Sequence, residues 1–74
     1  MNVKIYDRDG RFTVEEVGAA QAKLNAIAPG INKSRMTTVG RFELPLEGDL
    51  TAEQQTTFVD WGAATFPDWE IVIV

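Results

Sequence analysis

The sequence predicts a two-layer α/β (α+β) sandwich: a three-stranded sheet carrying two helices on one face, in the order β-α-β-α-β. Three observations predict it. Two motifs, Thr13-Val14-Glu15-Glu16 and Thr51-Ala52-Glu53-Gln54, each open a stretch whose apolar residues recur at helical spacing. Three other stretches alternate apolar and polar residues or run apolar, as strands do. The chain has 74 residues, which makes residues 1–74 a single domain. A chain of that length buries only about 60% of its unfolded surface and has no room for a second core.

Val3-Lys4-Ile5-Tyr6-Asp7 reads as a first strand with one buried face, and Asp7-Arg8-Asp9-Gly10 as the turn that ends it. Thr13 is placed to accept from the backbone N–H of Glu16, whose carboxylate reaches back to the N–H of Thr13. Phe12 before this cap and Val17 after it form a hydrophobic staple. The helix so begun runs from about Val14 to Ala28 and stops at Pro29-Gly30. Val17, Ala20, Leu24, Ile27 and Ala28 make its apolar stripe, while Gly18, Ala19, Ala22 and Ala26 face water as small helix formers.

Gly30 to Met36 reads as a loop and Thr37 to Leu46 as one extended segment, with Phe42, Leu44 and Leu46 on one side and Arg41, Glu43 and Pro45 on the other. Pro45 cannot donate to a ladder, which makes this an edge strand or its end. The second capping box starts a helix from about Ala52 to Phe66, stopped by Pro67, with a stripe of Phe58, Val59, Gly62, Ala63 and Phe66. Trp69 to Val74 closes the chain as a strand, with Trp69, Ile71 and Ile73 on one face and Val72 and Val74 on the other. The helical connections are long enough for crossovers between parallel strands.

Composition excludes more than it assigns. Hydrophobic residues at 45% and charged residues at 24% rule out disorder, and no run approaches the roughly 20 apolar residues of a membrane span. There is no cysteine and no histidine, and Ser34 is the only serine. Thiol nucleophiles, imidazole bases, zinc knuckles and disulfides are thereby removed, and hydroxyl chemistry is reduced to very little. The paired carboxylates Asp7/Asp9 and Glu15/Glu16 fall in a turn and on a first helical turn, where helix-dipole stabilisation accounts for them. No enzyme, metal or cofactor is expected. No signal-peptide or lipidation pattern opens the chain, and a cytoplasmic location is expected.

Charge is divided along the chain. Residues 1–41 hold all seven bases and four acids, a net of +3, whereas residues 42–74 hold seven acids and no base. Halves that interleave in space neutralise one another; halves that separate attract a partner of opposite sign or a second copy. The overall acidity speaks against nucleic acid as a partner.

Two motifs invite a ligand reading. Asp7, Asp9, Gly10, Phe12, Thr13 and Glu16 match the third, fifth, sixth, eighth, ninth and twelfth places of a calcium-binding EF-hand loop, which this stretch resembles in part. The first place falls on Ile5 and no helix precedes it, so a strand-to-helix turn with a cap accounts for it. Lys33, Ser34 and Arg35, joined by Arg8 or Arg11, could hold a small anionic ligand such as a nucleotide by charge-assisted bonds. That set has no phosphate-loop spacing.

The remaining candidates concern contact. Trp61 lies off the Phe58/Phe66 stripe, either folded over the core edge or exposed as an anchor, and tryptophan is the type most enriched at binding hot spots. Asp60 and Ala64 flank it on the helix. Val72 and Val74, if helices cover only one side of the sheet, meet water or a second subunit. The expected function is that of a small acidic protein-interaction module, an inhibitor or adaptor that is homodimeric and binds another protein or itself. Stand-alone acidic chains of this size are often inhibitors or adaptors, those of phages and other mobile elements included.

Overall fold

The computed structural model describes all 74 residues. Its elements are β1 (Asn2–Asp7), α1 (Val14–Ile27), β2 (Met36–Thr38), β3 (Arg41–Pro45), α2 (Ala52–Thr65) and β4 (Trp69–Ile73). The sheet therefore has four strands, in the order β2-β3-β1-β4, and every neighbouring pair is antiparallel. This corrects the expected three strands and the β-α-β-α-β order. The segment from Thr37 to Leu46 is a hairpin, broken at Val39-Gly40 between the paired Thr38 and Arg41. Gly40 takes φ +74° while Val39 keeps a negative φ, as a type II turn requires of its two central residues.

Parallel neighbours give way to antiparallel ones for a topological reason. β1 and β2 run the same way, as the α1 crossover requires, but β3 lies between them; β3 and β4 likewise run the same way around β1. This is the connectivity and strand order of the split-βαβ, ferredoxin-like arrangement.

Both helices cover one face. Val3, Ile5, Phe42 and Leu44 point from the central strands into a single core with Val17, Ala20 and Leu24 of α1 and Phe58 of α2. The α1 stripe is as the spacing predicts, with Ile27 and Ala28 at its partly buried end. The α2 stripe is rotated: Phe58 and Gly62 are buried and Trp61 and Phe66 pack beside them, whereas Val59 is 37% exposed and Ala63 faces solvent. Gly62 explains the turn of the wheel. A Cβ there would collide with the Ile71 Cδ1 atom, so the missing side chain is the space in which β4 docks its isoleucine on α2.

The caps differ. Gln54 and Thr51 exchange both bonds of a full capping box. At α1, Thr13 accepts from the Glu16 N–H at 3.1 Å, but Glu16 does not return to the Thr13 backbone. Its carboxylate accepts from the Thr13 hydroxyl and, at 3.2 Å, from the Trp69 indole N–H. A tryptophan 9% exposed needs a partner for that donor, and Glu16 supplies it across 53 residues of sequence.

Candidate interaction surface

The face of the sheet turned away from the helices is uncovered, and the strand register shows what lies on it. One rung across the strands reads Met36, Glu43, Lys4 and Val72; the next reads Thr38, Arg41, Tyr6 and Glu70. The two charge classes separated along the chain thus meet here, with Lys4 of β1 beside Glu43 of β3 and Arg41 on the same rung as Glu70 of β4. Arg41 lies 6.0 Å over the Tyr6 ring and 3.7 Å from the Glu43 carboxylate. The Glu43 side chain is largely shielded and that of Arg41 partly open, and the long 3.7 Å separation makes this pair a feature of the surface pattern rather than a main source of stability. The apolar part of the face is the β4 side, where Val72 is half-buried and Val74 is 62% exposed.

β4 is also an open edge. Asn2 and Val74 exchange backbone bonds of 2.6 and 3.0 Å, and the Arg8 N–H donates to the Asp68 carbonyl at 3.0 Å. The alternation of antiparallel pairs then directs Glu70, Val72 and Val74 toward β1, and the backbone groups of Ile71 and Ile73 outward. At Trp69 the edge is closed, since its N–H donates to the Phe66 carbonyl at 3.0 Å. Ile71 and Ile73 thus present two N–H and two C=O groups to whatever approaches.

Trp61 belongs to the core edge. It sits 5.6 Å from the Phe58 ring, 5.8 Å from Phe66 and 6.2 Å from Trp69, in a cluster whose tightest pair is Phe66 stacked on Trp69 at 4.1 Å. Phe12 and Phe42 extend the cluster on the other side of Trp69. Asp60 and Ala64 are exposed on α2. The five contact candidates therefore divide between two layers, with Asp60, Trp61 and Ala64 in the helical layer and Val72 and Val74 on the far face of the sheet.

The anion-binding candidates do not converge. Lys33 pairs with Glu47 at 3.3 Å, beside the strand end where Leu46 donates to the Met1 carbonyl. Arg8 and Arg11 follow the opposite end of β1, where Arg11 shares a shallow depression with Asp7, Asp9, Glu16 and Asp68. Arg35 is exposed beside Thr13 and Thr37. The Ser34 carbonyl accepts from the Asn32 amide at 2.7 Å, which fixes the loop backbone there. The EF-hand-like stretch is likewise engaged: Ile5 is fully buried, Asp7 caps its own turn by accepting from the Asp9 N–H at 2.7 Å, and Glu16 holds Trp69. No group of three or more acidic side chains is placed to hold a metal ion, and no helix is long and apolar enough to cross a membrane.

Two features were beyond reach of a linear reading. Asn32 is buried, its amide donating to the Ser34 and Pro45 carbonyls while its oxygen accepts from Gln21 at 3.0 Å. Nothing in a loop asparagine signals that burial. The open β4 edge depends on strand order, which periodicity does not encode. Comparison with protein-family models, with characterised proteins and with solved structures finds no match to this chain.

Proposed function

We propose that this protein works by contact, as a small acidic interaction module with an inhibitor or adaptor role and no chemistry of its own. The observation that carries the reading is the uncovered sheet face, with its apolar Val72/Val74 margin beside an unpaired strand edge. A domain with so small a core has little reason to leave apolar area and backbone groups of one strand open unless something covers them. The absence of cysteine and histidine, with a single serine, supports the same reading from composition. Docking of a partner there would act sterically, and the alternating charges of Lys4, Arg41, Glu43 and Glu70 would select its orientation.

The test is capture of partners from the native host lysate on immobilised protein, read by mass spectrometry, comparing wild type with Val74→Asp. Val74 is largely exposed, so the substitution leaves the core untouched. The expected result is a defined partner retained by wild type and released by the variant. Retention indifferent to Val74→Asp would remove this surface from the account. Turnover of a substrate by the purified chain would end the contact reading altogether.

A further inference from the structure

The β4 edge is complementary to itself, and we infer that it pairs with the β4 edge of a second copy of this chain. The inference rests on the contact reading above and names its partner. A two-fold axis at Val72 sets two β4 strands antiparallel, with Ile71 of each copy opposite Ile73 of the other. Those are the residues whose backbone groups point outward, so every outward N–H of the two strands meets an outward carbonyl, and four new bonds join two four-stranded sheets into one of eight strands. Two alternative registers are worse. Centring on Glu70 sets two carboxylates face to face, and centring on Ile71 brings a partner strand against Trp69, whose N–H is already engaged by the Phe66 turn. With the axis at Val72, Glu70 lies opposite Val74 of the other copy, and the one charge on the strand never meets its twin.

Side chains fit the same axis. Ile71 and Ile73 of the two copies stack on the helical face, and Val72 meets Val72 on the open face in the closer, non-hydrogen-bonded kind of pair. A five-residue strand alone falls short of the roughly 800 Å² per partner of a stable interface. Further contact area lies along α2, where Gln55, Thr56, Val59 and Asp60 line a groove beside Ile73. Val59 is the large apolar residue that the helix leaves outside the core, on the side where the two-fold lays α2 of the second copy.

The experiment is sedimentation equilibrium on wild type, Val72→Glu, Val72→Lys and an equimolar mixture of the two variants, with circular dichroism to verify each fold. Val72 lies opposite Lys4 within the chain, so Val72→Glu gains a cross-strand partner there and folds. Wild type should sediment at twice 8.2 kDa. Each variant places like charges on the axis and should weaken the dimer roughly tenfold or more, while the mixture regains it. Hydrogen exchange supplies a readout free of substitution: the Ile71 and Ile73 amides should be protected in wild type and lose protection on dilution. Monomeric wild type overturns the inference, as does a dimer indifferent to Val72→Glu or one strengthened by Val72→Lys, which the Ile71-centred register would produce. Monomeric wild type that still captures a lysate partner sensitive to Val74→Asp overturns the second copy as occupant and leaves the contact reading standing. Failure of both measurements ends both.

Discussion

The two edges of the sheet are secured by opposite physics. β2 is three exposed residues, Met36 to Thr38, and contributes almost nothing to the core. It is held through the backbone, by its hairpin with β3 and by Asn32, whose amide ties the approach to β2 to the end of β3. β4 is held through its side chains, with Trp69 sealed among four other rings and Ile71 seated against Gly62. The difference bears on function. An edge that is short and polar is blunted against further pairing, whereas an edge anchored by burial stays straight and leaves its outer backbone groups unspent. Under the proposed contact function, the aromatic cluster that stabilises the fold also leaves the β4 edge, rather than β2, available for pairing.

Trp69→Ala is the largest way to break this contrast. Removing a buried indole costs about 3–5 kcal/mol, and here it also leaves Glu16 without its long-range donor. A domain this small has about that much stability to lose, so the variant should be unfolded or nearly so at 25 °C in a urea titration. A cooperative transition shifted by less than about 1 kcal/mol would show that β4 is not anchored by its rings.

Asn32→Ala should come next, with a loss of about 2 kcal/mol, because the Ser34 and Pro45 carbonyls and the Gln21 amide lose their partner together. Asn32→Asp sharpens the point. It keeps the shape and removes the donors, so it should cost at least as much as the alanine. Hydrogen exchange should show the damage at β2 and the end of β3, with β4 amides on the β1 side unchanged. Uniform loss of protection would mean the clasp serves the whole fold and not one edge.

The legibility of the sequence follows the same division. Helix starts were readable because capping is local, needing only Thr13 or Thr51 and the residue three places on. Strand faces of β1, β3 and β4 were readable because alternation is local too. The second and third strands merged into one because Val39-Gly40 interrupts an extended pattern for only two residues, and a lone glycine between strand-like stretches is the single signal that a turn is there. Trp61 was left between core and surface because its wheel position places it beside the stripe, and it is the Trp69 ring, brought in by β4, that closes over it beside Phe58 and Phe66. Asn32, Gly62 and the β4 edge acquire their roles from residues remote in sequence. The surface was thus half visible: Val72 and Val74 were placed on the open face from alternation, while the direction of the β4 hydrogen bonds needed the neighbouring strand. Lys33, Arg8 and Arg11 were drawn together by charge and are held apart by the length of β1.

Gly40→Ala tests the hairpin at a smaller scale. Its φ of +74° lies where a Cβ costs about 1–2 kcal/mol, while the space beside the Gly10 backbone, 3.5 Å away, admits the methyl group. Because β2 carries little of the core, the loss should appear as faster exchange of the β2 and β3 turn amides with a modest shift of the urea midpoint.

The smallest expected effect is the most pointed. Met36 stands at the β2 edge 53% exposed, on the same rung as Val72. If position on the open face alone decided which edge matters, two apolar residues at the two ends of one rung would behave alike. Met36→Glu should change stability by less than about 0.5 kcal/mol and leave the sedimentation mass at the wild-type value. Val72→Glu, the same charge placed at the other end of the rung, should leave the fold equally intact and lower the mass. Equal responses at both ends would erase the distinction between the edges; a mass lowered by Met36→Glu alone would transfer the association surface to β2, the strand whose brevity argues against it.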